Sequence, residues 1–148
     1  MSVIMSAALA LLLLSASQGE RIIVHIPTSD ALRVAQIIAR NEGYDIKDTK
    51  LYYFDSLDSK GRLLEGYTSI GFYINGNARS AISISETTGQ ALDMDSCEIF
   101  DYPELRLFQE QILRLSKAKR KTPQELADDA GCDPPIVLTK PVPPTKKE

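Results

Sequence analysis

The stretch "SISETTGQALDMDSC", Ser83 to Cys97, decides how this chain is read. It closes a run in which small polar and apolar residues alternate, breaks at Thr88-Gly89, and starts a second short apolar run, "QALDM". Alternation with a period of two belongs to a strand with two unlike faces, and glycine supplies the positive φ that a tight turn uses. The stretch therefore predicts a strand, a turn, and a further short strand or extended edge.

Working outward toward the N-terminus, "ARSAISISE" places Ile82 and Ile84 inward and Ala81, Ser83 and Ser85 outward. Before it stands Asn75-Gly76, the strongest short hairpin signal in the chain. The partner strand is "YTSIGFYING", with Thr68, Ile70, Phe72 and Ile74 on one face and Tyr67, Ser69, Gly71 and Tyr73 on the other. Further upstream, "KLYYFDSL" is rich in strand formers and "DSKG" (58–61) has turn chemistry. "TSDALRVAQIIARNEG" predicts a helix capped by Thr28 or Ser29 and ended by Gly43. Ala31, Val34, Ala35 and Ile38 recur at helical spacing, which gives that helix one apolar face to lay on the sheet.

Working the other way, the period changes at Asp101. "DYPELRLFQEQILRLSKAKR" predicts a helix with Pro103 in its first turn and Leu105, Phe108, Ile112 and Leu115 on one stripe. "TPQELADDAG" predicts a second helix with a Thr122/Glu125 capping box, Pro123 in the first turn and a stop at Gly131. The last stretch, "DPPIVLTKPVPPTKKE", holds five prolines and three lysines without a helical or strand period. It reads as an extended, polyproline-like or disordered tail.

Residues 1–19 carry no charged side chain and contain "AALALLLL", too short to span a bilayer but suited to the core of a signal peptide. Cleavage after Ser17 or after Gly19 meets the small-residue requirement equally well. The expected product works in the periplasm or outside the cell, with no stable membrane insertion once the leader is removed. Two cysteines, Cys97 and Cys132, suit an oxidising compartment, where they are expected to join and fold the C-terminal helices back onto the end of the sheet. The organisation expected is a signal peptide (1–19), an α+β domain (20–100), a helical extension (101–132) and a flexible Pro/Lys-rich tail (133–148).

The charge is −3 overall, divided into −5 over residues 20–116 and +2 over 117–148. An acidic body argues against nucleic acid as the partner. The run "KAKRK" (117–121) follows a helix end, where positive charge complements the backbone dipole; docking of an acidic surface is the functional reading. His25 is the lone histidine, and no Gly-x-Ser-x-Gly motif exists to pair with it. Asp55, Asp58 and Gly61 lack the spacing of a calcium loop; Asp93 and Asp95 alternate as ligands would, but Cys97 stands at the next ligand position. No catalytic set, metal site or cofactor is expected. Tyr67, Tyr73 and Ser83 lie on the face opposite Ile70 and Phe72, and form either a partner-binding face or a seat for the C-terminal helices.

Taken together, the leader, the helix "ALRVAQIIARNEGY" and the meander "GFYINGNARSAISISETTGQAL" resemble the PepSY-type domains of secreted and envelope proteins of bacteria. Ala31, Ala35, Ala39 and Gly43 match the helix of that family, Asn75-Gly76 its tight turn and Thr88-Gly89 its closing turn. The likeness covers residues 28–93. Ser85 and Glu86 stand where an Asp is common there, the middle strand has no Trp, and residues 45–65 exceed a minimal module. The resemblance implies a non-catalytic binding module for an envelope or extracellular protein, one that modulates or inhibits a peptidase. Cystatin-like and NTF2-like folds share the pattern, and imply instead a small-ligand-binding or hydrolytic pocket between helix and sheet. The expected fold class is α+β: an amphipathic helix on a curved antiparallel sheet of about four strands, followed by C-terminal helices.

Overall fold

In the computed structural model of the chain, the described residues are 22–44, 46, 50–54, 64–74 and 77–139, with the side chains of 51–54, 74 and 77–81 outside that description. The leader, the turns at 58–61 and Asn75-Gly76, Tyr52 and Tyr53 as side chains, Asp55 and the tail beyond Thr139 therefore lie outside it.

The fold is α+β, as expected, with one six-stranded sheet in the order β1-β2-β3-β4-β5-β6. The strands are β1 (Lys50–Phe54), β2 (Tyr67–Ile74), β3 (Asn77–Ser85), β4 (Ala91–Asp93), β5 (Glu98–Phe100) and β6 (Ile136–Leu138). All neighbours pair antiparallel except β5 and β6, which run parallel. Helix α1 (Thr28–Asn41) precedes the sheet; α2 (Arg106–Ser116) and α3 (Pro123–Ala130) form the crossover between β5 and β6.

Two strands go beyond the expected four. β5 and β6 have three residues each, too few to display an alternating pattern, and a parallel pair needs a crossover that only the whole fold supplies. Residues 136–138, read from sequence as part of a flexible tail, thus pair with β5: Ile136 N–H donates to Cys97 O at 2.9 Å, and Asp101 N–H to Leu138 O at 2.8 Å.

α1 begins without either expected side-chain cap. Pro27 occupies the N-cap position in extended geometry, and its carbonyl accepts from Asp30 and Ala31. The helix ends as predicted at Gly43, with φ 86°, while Tyr44 N–H reaches back to Ala39 O. Ala31, Val34, Ala35 and Ile38 are all buried, on the face the spacing indicated.

The main core lies on this side of the sheet. Ile70, Phe72, Ile82, Ile84, Ala91 and Phe100 meet α1 together with Tyr102, Leu105, Phe108 and Ile112 from the segment leading into and through α2. These side chains fill the interface between α1 and the sheet, where the ligand-binding alternative expects a pocket. The buried stripe of α2 departs from expectation in its last turn: Ser116 is buried and Leu115 is 61% exposed. At about 100° per residue, 115 and 116 fall about 60° and 40° to either side of Ile112, so spacing admits both, and it is Ser116 that turns inward, where its hydroxyl meets the Thr87 carbonyl.

A smaller core covers the opposite face, where Tyr67, Leu92 and Ile99 pack with Leu126 and Ala130 of α3. Residues 117–122 must therefore carry the chain from one face of the sheet to the other. They do so beside the turn between β3 and β4.

Candidate functional site

That turn is the "SETTGQ" of the deciding stretch. Ser85 and Gln90 close it through Ser85 N–H to Gln90 O at 2.8 Å, and Gly89 N–H donates to Ser85 O. The Ser85 hydroxyl also accepts from Thr88 N–H at 3.1 Å. Gly89 has φ 73°, and a Cβ there would stand 2.9 Å from the Gln109 Cα of α2. Glycine is required twice over, by the turn and by the helix lying on it.

The crossing is pinned to the turn at several points. Ser116 donates its hydroxyl to Thr87 O at 2.5 Å and accepts from Ala118 N–H at 3.1 Å. The buried Gln90 side chain grips the Lys121 backbone as a second strand would, donating to Lys121 O and accepting from Lys121 N–H, both at 2.9 Å. Arg120 reaches Gln109 Oε1 at 2.5 Å and Asp101 at 2.9 Å, and Arg106 shares that carboxylate at 2.6 Å. Burial, then the Arg106 charge, pull the Arg120 guanidinium below its usual range against the pull of Asp101. It stays cationic at any working pH.

Lys121 then ion-pairs with Asp129 of α3, and its ammonium lies 5.9 Å from the Tyr67 ring centre. The Tyr67 hydroxyl donates to the same Asp129 carboxylate at 2.7 Å. Burial, then the hydrogen bond and charge of Asp129, raise the Tyr67 pKa far above the ordinary tyrosine value. The phenol is thus a fixed neutral donor.

Two clefts flank Lys121, and Thr87 lines both. One, of about 280 Å³, is bounded by Ile23, Leu64, Glu65, Gly66, Tyr67 and Asp129 and is acidic in balance. The other, of about 360 Å³, is bounded by Ala118, Lys119, Arg120 and Glu125 and is basic in balance. α3 opens beside the second cleft, its Thr122 hydroxyl accepting from Glu125 N–H at 3.2 Å, the Thr122 half of the predicted capping box without the return bond from the Glu125 side chain, and closes as predicted at Gly131 with φ 70°.

The expected binding face needs correction at two of its three residues. Tyr67 and Ser83 are buried under α3 and Met94; Ser83 donates to Met94 Sδ at 2.9 Å and shares a 2.8 Å hydroxyl contact with Ser69. The C-terminal helix occupies the face because Leu126 and Ala130 need apolar cover, which Leu92 and Ile99 supply. Tyr73 remains 49% exposed, away from both clefts. The cysteines are joined: Cys97 and Cys132 form a disulfide with Cα atoms 5.7 Å apart, linking the residue before β5 to the segment after α3.

His25 is exposed and lines neither cleft. Asp93 serves a turn, accepting from Asp95 N–H at 2.9 Å and Ser96 N–H at 3.2 Å. Among the described residues no group of three His, Cys, Asp or Glu could hold a metal ion, and no helix is long and apolar enough to cross a membrane. Lys121, Asp129, Gln90 and Thr87 escaped the sequence reading as partners; the basic run and the Thr-Gly turn marked only their neighbourhood.

No family model matches the chain, and no curated protein does. Among solved structures it is similar in fold to a chain of a type VI secretion system effector-immunity complex from Pseudomonas protegens, with a TM-score of 0.51 and 19% identity over 74% of this chain and 91% of that one.

Proposed function

We propose that this chain is an exported, non-catalytic module that binds another protein of the envelope or the extracellular space. One observation carries the reading: two adjoining clefts of opposite charge, divided by a Lys121 that is already bonded to Asp129, as Tyr67 is. Tyr67, Asp129 and Lys121 satisfy each other, and a raised tyrosine pKa is the reverse of what a nucleophile or base needs at neutral pH. Such a surface suits complementarity of shape and charge, with the acidic cleft receiving a cationic group and the basic one an anionic group. Export is supported by the disulfide, which persists in oxidising compartments. The fold likeness to a chain from a two-protein complex supports a protein partner.

In its finer form the reading makes the chain a PepSY-like restraint on a secreted or envelope peptidase. The test is capture on the immobilised chain from Glu20 onward, offered an envelope and culture-fluid extract. A single stoichiometric partner over an unfolded control is the expected result. A peptidase whose cleavage rate falls when the chain is added supports the finer form. No enrichment over the control removes the reading altogether.

A further inference from the structure

The basic run absorbs more structure than a helix end needs. Its backbone is fixed by Ser116, Gln90 and the Arg120 bonds to Gln109 and Asp101, yet its remaining cations are left to solvent. Arg114, Lys117 and Lys119 are exposed and make no ion pair or hydrogen bond through their side chains with a described residue. Lys117 sits at φ 58°, which turns the chain off the helix and sends Lys119 toward the rim of the 360 Å³ cleft. On α2, Leu115 next to Arg114 and Leu107 two turns earlier stand 61% and 63% exposed.

We propose that this rigid basic crossing, with the outer leucines of α2, is the contact surface for a carboxylate-rich segment of a protein partner that also carries apolar side chains. The inference rests on the protein-binding reading and specifies the partner's chemistry. Residues 114–121 contain five cations and no acid, on a chain that is −3 overall. That contrast favours a short acidic segment over an extended polyanion. A membrane or nucleic-acid surface would also meet Glu104 and Glu110, exposed on the same helical segment, and the acidic body behind them. Preordering of the backbone lowers the entropy lost on docking.

The experiment is fluorescence anisotropy of the purified chain with a labelled peptide of repeating Glu-Glu-Leu, its Gln-Gln-Leu counterpart, and vesicles rich in phosphatidylserine. The acidic peptide is expected to bind with an affinity that falls as salt rises. Lys119→Glu combined with Lys117→Gly, glycine suiting the positive φ, should weaken it roughly tenfold or more. Lys119→Gln, at an exposed side chain, should weaken it less and guards against misfolding of the double variant. Absence of binding to the acidic peptide, equal binding of the Gln peptide, undiminished binding by the variants, or binding to vesicles alone each overturns the proposal. A captured partner that survives both substitutions and high salt leaves the protein-binding reading standing and removes this surface. Capture of nothing removes the reading itself.

Discussion

The two faces of the sheet are covered by different physics. Under α1 and α2 the sheet contributes Ile70, Phe72, Ile82, Ile84, Ala91 and Phe100, all apolar. Under α3 it contributes two apolar side chains, Leu92 and Ile99, beside Tyr67 and the hydroxyls of Ser69 and Ser83. The first cover is held by area removed from water, which is non-directional and tolerant. The second relies on a few directional bonds, Ser69 to Ser83 and Tyr67 to Asp129, and on a covalent link at Cys132. A face too polar to hold a helix by burial alone can still hold one, provided each buried hydroxyl is satisfied and the helix cannot drift away.

The contrast can be broken at four places. The largest effect belongs to the apolar face: Phe72→Ala, at a side chain 1% exposed, should cost about 3–5 kcal/mol by chemical denaturation and loosen the whole domain. Next, replacing both cysteines by serine should cost about 2–4 kcal/mol, since the bridge closes a loop of sequence separation 35. Hydrogen exchange should place that loss in α3 and β6 and leave α1 protected; uniform loss would mean that the two covers are not separable. Gly89→Ala should cost about 1–3 kcal/mol through its positive φ, more if α2 cannot retreat from the new Cβ. Because the turn anchors the crossing, exchange should quicken at the end of α2 and the start of α3 together.

The smallest change is Tyr67→Phe, expected to cost about 1–2 kcal/mol at neutral pH. Folding holds the phenol proton more tightly than the unfolded chain does, because burial and Asp129 disfavour the phenolate. The native chain therefore loses stability as pH rises past the ordinary tyrosine value of about 10, where the unfolded state begins to release that proton. Below that pH the contribution is whole. Denaturation curves from pH 8 to pH 11 should show the parent and Tyr67→Phe converging; parallel curves would place the phenol in water.

How much of this was legible follows from distance along the chain. α1, β2 to β4, the Thr122 cap and the stop at Gly131 are local patterns, and the structure has them where the sequence put them. The disulfide was legible because two cysteines leave one pairing. What was not legible depends on tertiary company. Alternation in β2 separates two faces but says nothing of what covers the more polar one, so Tyr67 and Ser83 read either as a partner-binding face or as a seat for the C-terminal helices until α3 is placed over them. Leu115 passed for core because a spacing of three and a spacing of four both fit a helix face; the choice fell to Ser116, whose hydroxyl has the Thr87 carbonyl to meet. The clefts could not be read at all, since Tyr67 and Asp129 stand 62 residues apart and Gln90 and Lys121 stand 31 apart.

The position of the disulfide also sets how this molecule would carry a mechanical load. Tension applied beyond β6 first meets that strand, three residues paired with β5 and with Leu138 against the main core, and then reaches Cys132. From there the force passes through sulfur to Cys97 and into the root of β5, so α2, the crossing and α3 lie outside the path of strain. A tether on that end can strip a single short strand. It cannot drag α3 off the sheet by its trailing end.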